Sequence, residues 1–225
     1  MKFIIDDANV EMIKEIWDLY PCDGVTTNPS ILAKAKKDPF VVLKEIREII
    51  GGSSELHVQV TANDYEGMLD DAKRILDELG SNTYIKVPTT PIGLKVMKKL
   101  HEDGINITAT AIYTAMQGYL AAKAGADYVA PYVNRIDNLG ANGVQTAMQI
   151  DDILKNNGLT CEVLAASFKN SQQVLELCAY GIGASTIGSD IIHGLIKHEC
   201  VTMAVKAFED DFAGLVGNGK SMSNL

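Results

Sequence analysis

The sequence predicts a single-domain α/β protein, a (β/α)8 barrel, and three observations carry that prediction. Short β-branched runs alternate with amphipathic helical stretches along the chain of 225 residues. Eight such runs recur in units of about 25 to 30 residues, a spacing that implies parallel strands joined by helical crossovers. The turn after the first run is Asp7-Ala8-Asn9-Val10. An open doubly wound sheet, the alternative fold, would place a glycine-rich phosphate turn there.

The eight strand candidates are Phe3 to Asp6, Gly24 to Thr27, Leu56 to Val60, Thr83 to Val87, Ile105 to Thr110, Tyr128 to Val133, Glu162 to Ser167 and Ala184 to Ile187. Between them, Val10 to Leu19, Asp64 to Leu79, Gly93 to Glu102 and Val144 to Asn156 repeat apolar residues at three- and four-residue intervals, as helices with one buried face do. Side chains alternate along a strand, and catalytic groups of such barrels sit inward at the C-terminal ends, so parity acts as a filter. In the first strand Ile4 and Asp6 point inward. His57 and Gln59 do so in the third, Asn106, Thr108 and Thr110 in the fifth. The sixth groups Tyr128, Ala130 and Tyr132, and the seventh Val163, Ala165 and Ser167. The recurrence of Asp6, Gln59, Lys86, Thr110, Tyr132 and Ser167 on one side is more than barrel filling requires, because each buried polar group costs a few kcal/mol unless paired.

Lys86 is the centre of this pattern. In Thr83-Tyr84-Ile85-Lys86-Val87-Pro88, Ile85 and Val87 share one side while Tyr84 and Lys86 share the other. Burial disfavours the ammonium and lowers its pKa, which readies the amine to attack a carbonyl and form a Schiff base. A lysine that snorkels to water or pairs with a carboxylate is the other reading of this window. Tyr132 as filling, Ser167 and Thr110 bonded to backbone, and an Arg135 to Asp137 ion pair are the corresponding ordinary readings.

Composition narrows the partners. With 47% hydrophobic and 22% charged residues the chain can bury a large core, and no linker or low-complexity tract divides it. A net charge of -9 opposes a nucleic-acid or anionic-membrane partner. Lys34, Lys36 and Lys37, the densest basic cluster, read as a solvated helix end. The first residues are too short in apolar content for a signal peptide and no later run approaches a membrane span, so a soluble, cytoplasmic protein is expected. Cys22, Cys161, Cys178 and Cys200 lie far apart and are expected to be reduced, mostly buried thiols. The four histidines are equally scattered, and no metal site is expected.

Four motifs carry a resemblance. Gly24-Val25-Thr26-Thr27-Asn28-Pro29-Ser30, Ile85-Lys86-Val87-Pro88, Ala130-Pro131-Tyr132-Val133-Asn134-Arg135-Ile136-Asp137 and Leu164-Ala165-Ala166-Ser167-Phe168-Lys169 resemble those of the transaldolase family. The likeness runs from Phe3 to about Phe212 and is nearest to the branch of fructose-6-phosphate aldolases and short microbial transaldolases. It implies a (β/α)8 barrel, class I aldolase chemistry, sugar-phosphate substrates and no metal or organic cofactor.

Carried over by position, the resemblance implies that Lys86 forms the Schiff base and Asp6 moves protons. Thr26 and Asn28 would lie near donor hydroxyls, and Thr110, Gln59 and Tyr132 would hold the proton-shuttling water or hydroxyl. Arg135, Ser167 and Lys169 would grip the phosphate. Transaldolases resemble one another in having Glu at the position of Gln59 and Phe at that of Tyr132. The Gln and Tyr found here resemble the aldolase subgroup, which releases free dihydroxyacetone. Transfer of the three-carbon unit between sugar phosphates of the pentose phosphate pathway is the alternative, and a non-catalytic sugar-phosphate-binding barrel is the third.

Two places depart from the family pattern. Asp7 stands where Thr is usual, and parity turns it toward the helices as an expected cap of the helix starting near Val10. Ile187-Gly188-Ser189-Asp190 is also atypical. The barrel with its C-terminal helix is expected over residues 1 to 213, followed by a polar tail over 214 to 225. The resemblance further implies a homo-oligomer, a pentamer or decamer in which the stretch Val201 to Phe212 reaches a neighbour.

Overall fold

The computed structural model describes residues 1–225. Eight parallel strands, β1 (Lys2–Asp6), β2 (Gly24–Thr26), β3 (Glu55–Gln59), β4 (Thr83–Pro88), β5 (Ile107–Ile112), β6 (Tyr128–Pro131), β7 (Glu162–Ala165) and β8 (Ala184–Ile187), close into a barrel in sequence order. β1 pairs with both β2 and β8, which closes the ring. Two compact units divide the chain. Met1–Ile191 contains the whole barrel, and Ile192–Leu225 contains the end of α10 (Ser189–Ile196) and the helix α11 (Glu199–Val216).

Between the strands run α1 (Val10–Leu19), α2 (Pro29–Lys34), α3 (Pro39–Ile50), α4 (Tyr65–Leu79), α5 (Pro91–Glu102), α6 (Ala115–Lys123), α7 (Val133–Asp137), α8 (Gly143–Asn156) and α9 (Ser171–Tyr180). Their starts follow from local chemistry. The side chains of Asn9, Asp64, Thr90, Asn142 and Asn170 accept backbone N–H groups that the first helical turn leaves unpaired. Pro29, Pro39 and Pro91 stand at first positions, where a missing N–H costs nothing. α4 buries Met68, Ala72, Ile75 and Leu79, the spacing its sequence announces. Gly93 is required by close approach: a Cβ there would stand 1.9 Å from the carbonyl oxygen of Pro88, so only glycine lets α5 begin against the end of β4.

Inside the barrel the wall is apolar and aromatic in its middle. Ile4, Tyr128, Ala130, Leu164, Ala166 and Ala184 form one buried cluster, with Tyr84 and Tyr132 packed against it. Toward the N-terminal ends of the strands the filling becomes polar. Lys2 donates to Glu55 and to the Tyr128 hydroxyl, each at 2.6 Å, and His57 stacks on Tyr84 with ring centres 4.6 Å apart. This cluster plugs one end of the barrel. Solvent-facing chemistry is left to the other.

Several boundaries differ from the sequence reading. β5 starts at Ile107 because the Ile105 N–H turns back to the Leu100 carbonyl, and it continues to Ile112 through a bulge. β6 stops at Pro131, since Val133 opens α7. β7 stops at Ala165, beyond which Ser167 adopts φ 63°, a left-handed conformation that ends the alternation. Its inward residues are therefore Leu164 and Ala166, which corrects the parity that grouped Ser167 with Val163 and Ala165. α11 begins at Glu199 and runs to Val216, where Gly217 terminates it. Of the four thiols only Cys161 is buried; Cys22 is half-buried, and Cys178 and Cys200 are exposed, the latter on α11, none of whose residues is buried. All four are free. No helix is long and apolar enough to cross a membrane.

Candidate active site

Lys86 lies near the middle of β4, in register with Gln59 on β3 and Thr108 on β5. Only 5% of its surface is exposed. Its ammonium donates to the carbonyl of Thr27 at 2.7 Å. That carbonyl is available because β2 has ended at Thr26, while the Thr27 N–H and hydroxyl both bond to the His57 carbonyl and Asn28 caps α2. Burial lowers the lysine pKa from its ordinary value, and the nearby Asp6 charge opposes that shift without cancelling it. The result is an amine that loses its proton more easily than a surface lysine.

Asp6 ends β1 beside this amine. Burial pushes its carboxyl above the usual range, the Lys86 charge and a Thr26 hydrogen bond pull it down, and the adjacent Asp7 charge adds to the rise. Thr26 donates to Asp6 at 2.8 Å and lies 2.6 Å from the Thr186 hydroxyl. A hydroxyl has one proton, so with Thr26 donating to the carboxylate, Thr186 donates to Thr26. Thr186 is a member of the site that the motif reading missed. Its signal was present: it is the inward polar position of β8, two residues before Gly188.

On the opposite wall, the Thr110 hydroxyl and the Tyr132 hydroxyl share a hydrogen bond of 2.8 Å. Thus β5 and the start of α7 present a pair of hydrogen-bonded hydroxyls toward the barrel interior. The Arg135 guanidinium rests 4.6 Å over the Tyr132 ring and is exposed at the rim. Ser167 is half-buried and Lys169 exposed. Backbone bonds fix this side of the rim. The N–H groups of Val133 and Asn134 donate to the carbonyls of Ala166 and Ser167, each at 2.9 Å, and Gln173 bonds Asp137 at 2.7 Å while accepting from the Lys169 N–H. Arg135 therefore does not pair with Asp137, whose carboxylate serves Gly143 and Gln173.

Asn28 and Gln59 are both partly exposed. The Asn28 side-chain oxygen accepts from the Ile31 N–H, so its amide N–H2 group is the part left to face a ligand. Asp7 is not the cap of α1. Asn9 holds that place, and Asp7 instead accepts from the Ala8 and Asn9 N–H groups and from the Ser189 hydroxyl. The parity rule failed because β1 has ended, and the chain after Asp6 turns to meet the start of α10. The two departures, Asp7 and Ser189, are thus bonded to each other.

Comparison with known proteins decides what this lysine-centred barrel is related to. The family described as Transaldolase/Fructose-6-phosphate aldolase matches residues 3–221. The chain belongs to this family. A probable fructose-6-phosphate aldolase of Streptococcus pneumoniae is 40% identical over 223 residues, covering 99% of this chain and all of the relative. A probable transaldolase of Thermodesulfovibrio yellowstonii is also 40% identical, over 215 residues, covering 96% of this chain and 99% of the relative. The Transaldolase/Fructose-6-phosphate aldolase family is consistent with the barrel found here, and its two activities are both represented among these relatives.

Proposed function

We propose that this protein is a class I aldolase that cleaves fructose 6-phosphate reversibly to dihydroxyacetone and glyceraldehyde 3-phosphate. The single observation supporting it is Lys86, buried inside the barrel with its ammonium on a backbone carbonyl instead of a carboxylate. An ion-paired lysine would be held charged; this one is poised to release its proton and attack a ketone. The imine then draws electrons from the neighbouring carbon-carbon bond. Asp6 takes the proton of the hydroxyl whose carbon becomes the aldehyde, and the Thr110 and Tyr132 hydroxyls carry a proton to the carbon left behind. Asn28 and Thr26 bind donor hydroxyls; Arg135, Ser167 and Lys169 bind the phosphate at the rim.

Release of free dihydroxyacetone is favoured by Gln59, an amide that cannot act as the general base a carboxylate is, and by Tyr132, whose hydroxyl can donate a proton or position water; both resemble the aldolase subgroup. A second reading, transfer of the three-carbon unit to another sugar phosphate, is favoured by the likeness to the probable transaldolase. Borohydride reduction with fructose 6-phosphate and peptide mass analysis, with a parallel assay for free dihydroxyacetone, separates them. A three-carbon adduct on Lys86 together with repeated release of free dihydroxyacetone and no acceptor present supports the aldolase. A requirement for erythrose 4-phosphate supports transfer, and absence of any adduct overturns both.

Assembly is part of the same proposal: α11 docks on another copy of the chain. The exposed apolar residues Val201, Met203, Val205 and Phe208 support this reading. Removing the residues after Glu199 is expected to reduce the native mass to that of smaller species, and an unchanged mass would count against it.

A further inference from the structure

β5 does not end as a regular strand. Between its pairs Ala109 with Val129 and Ile112 with Pro131, it holds one more residue than β6 does. The extra residue accommodates Ala111 at φ 59°, in the left-handed region that non-glycine residues seldom occupy. A bulge of one residue reverses the alternation of side chains beyond it. Thr110 remains directed at Tyr132, and Tyr113, three positions later, comes to the same side. On regular alternation Tyr113 would point away from Thr110. Its ring meets the Tyr132 ring edge-on, centres 5.6 Å apart, and its hydroxyl lies 3.5 Å from Nη1 of Arg135. Arg135 is consequently held from two sides, by the face of Tyr132 and by the hydroxyl of Tyr113.

From this geometry we infer that Tyr113 is a positioning residue that fixes the Arg135 guanidinium for the phosphate end of the substrate, and so sets preference for phosphorylated over unphosphorylated aldehydes. This rests on the proposed reading of Arg135 as a phosphate-binding group. A free arginine at a rim loses several rotatable bonds when it grips an anion; one already held against two aromatic side chains loses fewer. Tyr113 touches no reacting atom in this scheme. Its contribution should therefore appear in affinity for the phosphorylated partner and not in the rate of bond making.

Tyr113→Phe keeps the ring and its edge contact with Tyr132 and removes the hydroxyl alone. The test measures aldol addition of dihydroxyacetone to glyceraldehyde 3-phosphate and to glyceraldehyde, in the parent protein and in Tyr113→Phe, Arg135→Ala and the double variant. The expected result is a KM for glyceraldehyde 3-phosphate raised about five-fold by Tyr113→Phe, the scale of one modest hydrogen bond. The kcat, and both constants for glyceraldehyde, should stay within about two-fold. In the Arg135→Ala background the Tyr113→Phe effect should vanish, because the hydroxyl acts through the guanidinium. Equal losses with both aldehydes, or full additivity of the two substitutions, would overturn the inference. A parent protein that does not distinguish the two aldehydes would overturn it together with the phosphate reading. Borohydride trapping on Lys86 reports the Schiff-base reading separately, so failure of one is visible without the other.

Discussion

Lys86 and Asp6 face the same space without bonding to each other: the ammonium is held by the Thr27 carbonyl and the carboxylate by the Thr26 hydroxyl. The two groups feel each other only as charges, which partly offset the opposite pKa shifts that burial imposes. Neither is neutralised by contact. Both remain free to engage a ligand.

Lys86→Met should abolish the borohydride adduct and lower cleavage by at least about a thousand-fold, since covalent attack is lost. The same change should raise stability by about 1 to 3 kcal/mol, because an apolar chain of similar volume replaces a buried cation without a carboxylate partner. Urea unfolding midpoints measure this. A destabilised Lys86→Met protein would show that the ammonium supports the fold and is not maintained at its expense.

Asp6→Asn should slow cleavage by about a hundred-fold to ten-thousand-fold, the range of general acid and base groups. As pH falls, activity of the parent protein should decline through an acid limb above the ordinary aspartate range, because the raised pKa protonates the base early. Asp7→Asn removes a charge that raises this pKa. Its acid limb should move to lower pH, and an unmoved limb would dissociate Asp7 from Asp6.

Tyr132→Phe leaves the Thr110 hydroxyl without its 2.8 Å partner. Adduct formation on Lys86 should persist, while release of dihydroxyacetone slows about ten-fold or more. Single-turnover trapping distinguishes the two steps. Equal loss of both would mean that Tyr132 shapes the pocket and does not pass a proton.

His57 makes the protein sensitive to mild acid. It is fully buried, and burial lowers its pKa to about 4 despite the opposing Glu55 carboxylate. The unfolded chain binds this proton near 6.5, so stability is full above that value and is lost as pH falls toward 4. Between pH 7 and pH 5 the loss from this group is about 2 kcal/mol. His57→Gln should remove that part of the pH dependence in urea unfolding. Glu55 acts in a more acidic window: despite burial, hydrogen bonds from His57 and Lys2 bring its pKa down to about 2, so its stabilising contribution fades from 4.5 downward.

The alternation of β-branched runs and amphipathic stretches was enough to specify the barrel, because period and burial are written into each element. α1 even begins and ends where its pattern does. Lys86 was also visible, since it interrupts an apolar strand. What escaped were features that depend on departures from regularity. Tyr113 enters the rim through a bulge at Ala111, and Ser167, although its motif names it, departs from the strand parity expected of it because it is itself left-handed; neither Ala111 nor Ser167 is a glycine that would mark the irregularity in composition. Asp7 was misplaced because its partner Ser189 lies at the other end of the chain, where β8 closes against β1.

The plug of Lys2, Glu55, His57, Tyr84 and Tyr128 makes the barrel a cul-de-sac. Traffic is then one-way in and the same way out. In the proposed chemistry the covalently held end of the sugar occupies the blind end and the phosphorylated end sits at the entrance, so the aldehyde must leave first. The ketone still tethered to Lys86 waits behind it. An obligatory sequence of departure thus follows from a cluster of side chains on the far side of the lysine from the door.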